Sequence, residues 1–172
     1  MTSAELLIDA FDRIRGVVRQ AVKGLSPDEL AHRTDPAANS IAWLVWHLTR
    51  IEDDHVAGVA GTDQVWTAEG WADRFGLPFS AGDTGYGHSA ADVAKVAVDA
   101  DLLVGYHDAT HARTVAYVAT LTDTDLPRIV DRNWEPPVTL GVRLVSVVSD
   151  ALQHGGQAAY VRGVIERRSV SG

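Results

Sequence analysis

Cysteine is absent from the 172 residues. That excludes disulfides, thiolate metal ligands and a nucleophilic thiol supplied by the chain. Lysine is nearly absent, with only Lys23 and Lys95, so the basic charge is almost all arginine. Acidic residues outnumber basic ones, 23 to 15, for a net charge of −8. Nucleic-acid backbones need clustered positive charge, so no nucleic-acid partner is expected. No apolar run approaches the roughly eighteen residues of a membrane span. The N-terminal MTSAELLIDAFDRIR lacks the basic and apolar regions of a signal peptide, which makes a cytoplasmic location the expectation. Phosphate-loop and dinucleotide glycine patterns are missing, as is a Gly-x-Ser-x-Gly elbow.

What is present is a chain of helices. An apolar content of 46% suits a globular protein, and the length suits one domain over residues 1–172. Thr2 and Glu5 form a capping box ahead of a helical period that runs from Leu6 to Ala21. Ser26-Pro27-Asp28-Glu29 opens a short turn. Asn39 or Ser40 caps a second long helix, apolar around most of its circumference, ending near Gly61. A third is expected from about Ala100 to Leu121, and a fourth from a Thr139 cap to about Arg168. No stretch reads as a set of strands. Four long amphipathic helices predict an all-α four-helix bundle. Residues 62–89, rich in glycine and aromatics, are too long for a simple turn and predict a crossover between the second and third long helices.

The fourth helix carries an anomaly. Val147, Asp150, His154, Gln157 and Val161 share one face, an apolar stripe interrupted by a carboxylate and an imidazole. A buried carboxylate needs a positive partner. Asp150 and His154, four residues apart, can share one ion, and His47 on the second helix is the best third ligand. Two histidines and a carboxylate suit zinc with an open position, and also nickel, manganese or ferrous iron. Alternatively, Asp150 and His154 pair with each other or with an arginine such as Arg50. His55 lies eight residues from His47, about 12 Å along the helix, too far to share the same ion. It is expected on the surface or at the mouth of the site. His107 and His111 form a rival pair in a segment that reads as half-exposed, and His32 and His88 sit in loops without a pattern.

Taken in order, Ser40-Ile-Ala-Trp-Leu-Val-Trp-His47-Leu, then Trp66-Thr-Ala-Glu-Gly-Trp-Ala-Asp-Arg-Phe, then Asp150-x-x-x-His154-x-x-Gln157 resemble the DinB-like (YfiT-like) superfamily. Within it they resemble the actinobacterial branch of mycothiol-dependent transferases. The resemblance covers nearly the whole chain and implies an up-down-down-up bundle. It also implies a divalent metal, zinc first and nickel second, on His47, Asp150 and His154. Asp150 departs from the His of many members and from the Glu of the related maleylpyruvate isomerases. Those isomerases also carry a further C-terminal domain, so a chain ending at Gly172 is expected to favour transfer. The implied reaction conjugates a low-molecular-weight thiol, mycothiol, to an electrophilic small molecule, a detoxifying role. Gln157, His55 and Arg50 would support the ligands or the substrate. Metal-dependent hydrolysis or isomerisation at the same site, and a non-catalytic binding or dimerisation module, are the alternatives. Apolar residues on several faces of the second helix allow a homodimer.

Overall fold

The computed structural model describes residues 1–170, the last two by backbone alone. Thr2 and Glu5 form the capping box of α1 (Ser3–Val22), which buries Phe11, Ile14 and Val18. Ser26 caps the single turn α2 (Pro27–Leu30) in the same way. Ser40 Oγ accepts the Trp43 N–H at the start of α3 (Ile41–Ala60), and Gly61, at φ 70°, ends the helix in the left-handed conformation. The connection to the next long helix holds three short ones: α4 (Val65–Ala68), α5 (Trp71–Phe75) and α6 (Ala90–Val93). Asp99 caps α7 (Ala100–Val118), and Thr139 Oγ1 accepts the Val142 N–H in the first turn of α8 (Leu140–Val170).

Side-chain pairs give the direction of each long helix. His55 meets Arg143, and the His47 ring lies 4.9 Å from His154, so α3 and α8 are antiparallel. Thr49 meets His107 and Val59 meets Tyr117, so α3 and α7 are parallel. Asp12 pairs with His111 and Arg19 with Asp108, so α1 opposes α7. Val17 packs on Gly155 and Arg162 reaches the Ala21 carbonyl, so α1 runs with α8. The bundle is therefore up-down-down-up. A parallel α3–α7 pair is what requires the long crossover, since a short loop could join them only head to tail.

The crossover is pinned to α3 by buried charge. Asp53 accepts the Val65 and Trp66 backbone N–H groups at 2.8 Å each and the Tyr106 hydroxyl at 2.8 Å. Arg50, fully buried, lies 3.6 Å from Asp53 and donates to Gln64 Oε1, the Tyr106 hydroxyl and the Asp83 carbonyl. Its guanidinium also sits over the Trp66 ring. A buried arginine with that many acceptors is satisfied, and removing it would leave Asp53 uncompensated.

Two details differ from the sequence expectation. Antiparallel strands β1 (Ile129–Asp131) and β2 (Val138–Thr139) form a small hairpin ahead of α8. Runs of three and two residues are too short to show a two-residue period. His107 and His111 are buried, not half-exposed, along with Thr110 and Thr114. Packing α7 against α1 and α3 covers a face whose polar residues read as solvated. Among the described residues no helix is long and apolar enough to cross a membrane.

Candidate metal centre

The α3–α7 seam buries Glu52, His107, Thr110 and Thr114 away from solvent. The α3–α8 seam differs: its flank brings His47, Asp150 and His154 together, with one ligating atom of each within 4.8 Å of the others. Ligand atoms of a four-coordinate zinc stand about 3–4 Å apart, so modest side-chain rotation closes the set. The core-facing residues of α8 here are Val147, Ala151 and Ala158, all buried. Asp150 and His154 lie beside that stripe, with side chains 32% and 20% exposed. The stripe expected in the core is thus at its edge, open to a small ligand.

The tautomers are fixed by what surrounds each ring. His47 Nδ1 stands 2.6 Å from the Thr84 carbonyl oxygen, which can only accept, so Nδ1 carries the hydrogen. His154 Nδ1 stands 3.0 Å from Gln157 Oε1 and donates to it. In the neutral rings both Nε2 atoms therefore keep their lone pairs. This is the arrangement of metal-ligating histidines, each held by an acceptor on its other nitrogen. Asp150 Oδ2 is buried without a hydrogen-bond partner, and a buried oxygen of this kind calls for a cation or a donor. His154 Nε2 is 3.5 Å from Asp150 Oδ1.

The electrostatics agree. Burial holds the His47 imidazole below its usual pKa, with the Thr84 carbonyl opposing and His154 adding to the depression, so the ring stays neutral. The Asp150 carboxylate raises His154, against a smaller effect of burial. Asp150 thus already stabilises a positive charge at its own side of the centre.

His47 is held by the last part of the crossover. Gly85, at φ +89°, brings the backbone so close that a Cβ there would stand 2.9 Å from His47 Nδ1 and 2.9 Å from the Trp46 ring. Asp83 accepts the Gly85 N–H and a hydrogen bond from His88 Nε2, and His88 Nδ1 accepts the Trp43 indole N–H at 3.1 Å. Trp43 in turn stacks on His47 at 4.6 Å between ring centres. His88 is therefore part of the frame around His47. The signal for it was available: three glycines, Gly82, Gly85 and Gly87, immediately before a histidine.

The remaining sequence candidates separate. Gln157 supports His154 directly. Arg50 contacts neither Asp150 nor His154. Through the Asp83 and Ala81 carbonyls it anchors the loop whose Thr84 orients His47, so its support is one step further away than expected. His55 sits two turns down α3, its Nδ1 3.3 Å from Arg143. His111 meets Asp12, but no third ligand joins them: among the described residues only His47, Asp150 and His154 form a group of three.

Comparison with known proteins follows the same line. Residues 6–167 match the family described as Mycothiol-S-transferase. The chain belongs to the mycothiol-S-transferase family, among the DinB-like proteins. The crystal structure of a conserved protein from Enterococcus faecalis has the same fold, with a TM-score of 0.88 and 31% sequence identity. That similarity covers 94% of this chain and 96% of the other. No curated protein matches the sequence.

Proposed function

We propose that the chain is a metal-dependent S-transferase that conjugates mycothiol to an electrophilic small molecule. The observation that carries this reading is the paired tautomer control. Thr84 and Gln157 hold both Nδ1 hydrogens, so two Nε2 lone pairs and the partnerless Asp150 oxygen converge. His47, His154 and Asp150 would hold a divalent cation, zinc or nickel. Bound there, such a cation lowers the pKa of a thiol that shares its open position, so that thiolate persists at neutral pH.

The chain's own residues supply the rest. Asp150 contributes a carboxylate, and Thr84 and Gln157 hold the two imidazoles in orientation. The Trp43 face covers His47 and limits water at the buried side of the centre. With no cysteine in the sequence, no internal thiol competes for the cation or the electrophile. In the transfer the thiol gives up its proton to solvent and the sulphur lone pair forms a bond to the electrophilic carbon. A leaving group departs with its electron pair or, for an unsaturated acceptor, the adjacent carbon takes a proton. Family membership supports mycothiol as the thiol.

The test uses untagged protein, mycothiol and monobromobimane. Thiol-dependent conjugation above the uncatalysed rate, lost on chelation and restored by zinc or nickel, is expected. Folded, metal-loaded protein no faster than the uncatalysed reaction would refute the reading. Turnover that needs no thiol would make the same centre hydrolytic.

A further inference from the structure

The α3–α8 seam opens on both sides of the centre, and the two openings differ in chemistry. Toward the C-terminal half of α3 lies a pocket of about 480 Å³ between α3, α8 and the β1–β2 hairpin. Its walls include Asp54, His55, Arg128, Asp131 and Arg143. On the other side lies a pocket of about 510 Å³ with no charged group, bounded by Leu44, Gly156, Gln157, Tyr160 and Val161.

We propose that these pockets sort the two co-substrates. The polyol portion of the thiol lies against Asp54, Asp131 and Arg143, and the electrophile approaches past Gln157 and Tyr160. This rests on the thiol-transfer reading of the centre and assigns its substrate subsites.

Charge balance is the first argument. Two carboxylates face two guanidiniums in the polar pocket, so it has no net charge with which to select an anion or a cation. It offers fixed acceptors and donors together, which suits a neutral molecule whose hydroxyls both give and take hydrogen bonds. These groups are already held in place. Asp131 accepts from Arg143 at 2.9 Å and from the Asn133 N–H at 2.9 Å. Asp54 accepts from Gln64 at 2.7 Å. Each carboxylate oxygen retains a lone pair for a sugar hydroxyl. His55 Nδ1 accepts from Arg143, which leaves its Nε2–H as a donor. Ordering groups before the ligand arrives lowers the entropic cost of binding.

Reach is the second argument. Arg143 precedes Asp150 by seven residues and His55 follows His47 by eight, which places the pocket about 10–12 Å along the helices from the centre. From the sulphur of mycothiol to its first ring is about five bonds, or roughly 6 Å, and two linked rings extend beyond that. A thiol at the centre therefore lays its rings over the polar pocket. The opposite pocket, lined by apolar groups with the Asn39 and Gln157 amides and Tyr160, carries no charged group and suits an electrophile without charge.

The experiment has a binding arm and a kinetic arm. A thiol-free analogue, N-acetylglucosaminyl-inositol, is titrated into isotopically labelled protein and amide shifts are followed. Saturable shifts at His55, Asp131 and Arg143 are expected, with affinity weakened about tenfold in Asp131→Asn and in Asp54→Asn, each loss matching one charge-assisted hydrogen bond. In turnover, both variants raise the KM for mycothiol about tenfold. The KM for N-acetylcysteine, which lacks the rings, and the KM for monobromobimane stay unchanged. No shifts, or shifts confined to the Gln157 side, overturn the assignment. So does a wild-type protein that uses N-acetylcysteine as efficiently as mycothiol, although the transferase reading then survives. Binding at the polar pocket without any thiol transfer has the opposite meaning: the subsite stands and the transferase reading falls.

Discussion

Helix α3 presents histidine chemistry on two sides, and the two sides do opposite things with similar residues. Toward α8, His47 meets Asp150 and His154 at a half-open flank, with both Nδ1 hydrogens held and both Nε2 lone pairs available. Toward α7, Thr49 and Glu52 lie near His107, Thr110 and Thr114, all fully buried. There, Thr49 gives its hydrogen to the Val45 carbonyl and faces His107 Nδ1 at 3.2 Å. His107 Nε2 and both Glu52 carboxyl oxygens have no hydrogen-bond partner. Burial pushes Glu52 up to about 7 and pulls His107 down to about 3. The α7 side therefore disfavours charge on both an acid and a base. The α8 side sets a carboxylate beside two imidazoles whose Nδ1 hydrogens are held. Access to solvent, more than residue type, separates a site from a stored polar core.

The comparison breaks most severely if the interior pair is charged after all. Glu52 has a folded pKa above its unfolded 4.5, so its contribution to stability is complete below pH 4.5 and is lost as pH rises toward 7. His107 has the reverse sign: its contribution is complete above 6.5 and is lost as pH falls toward 3. Between pH 4.5 and 6.5 the two slopes oppose each other, because folding there amounts to moving a proton from imidazolium to carboxylate. Glu52→Gln removes one of them. At about 1.4 kcal/mol per pH unit, the interval from 4.5 to about 7 corresponds to about 3 kcal/mol. Urea unfolding should show the variant gaining about that much over wild type between pH 4.5 and pH 8. Parallel curves for the two proteins would show that Glu52 is not held neutral.

A smaller effect sharpens the other side. Gln157→Leu frees His154 Nδ1 to choose either tautomer. Loss of this kind of supporting bond lowers metal affinity or turnover about tenfold, while an exposed residue changes stability by less than about 0.5 kcal/mol. A metal titration with the variant checks it, and unaltered affinity would mean the amide does not set the tautomer. The smallest effect belongs to Thr114→Val. Removing a buried hydroxyl that has no partner is neutral or stabilising by up to about 1 kcal/mol. A clear drop in the urea midpoint would show that Thr114 holds Glu52.

Much of this was legible in the sequence because it is local. Caps at Thr2, Ser40 and Thr139 and the helical period of the apolar residues marked all four long helices. The four-residue step from Asp150 to His154, with His47 on an apolar helix, marked the three side chains that the fold brings together. What was not legible depended on a partner. The burial of His107 and His111 is decided by α1 and α3, which cover a face that looks solvated when read alone. The β1–β2 hairpin is too short to show its period. Arg50, one of the alternative partners considered for Asp150, lies elsewhere: α3 is apolar around its circumference, and Arg50, Glu52 and Asp53 had to lie inside it. The partners of Arg50 and Asp53 come from Tyr106 of α7 and from the crossover, on the side of α3 away from α8.

Metal content in wild type and two variants tests the central claim most directly. Elemental analysis of untagged protein, loaded with zinc and desalted, should find about one equivalent in wild type and in Glu52→Gln. In His154→Ala it should find almost none, with the helical content and unfolding midpoint essentially retained. Equal metal in wild type and His154→Ala, or loss of metal in Glu52→Gln instead, would contradict the assignment of the centre to the α8 side of α3.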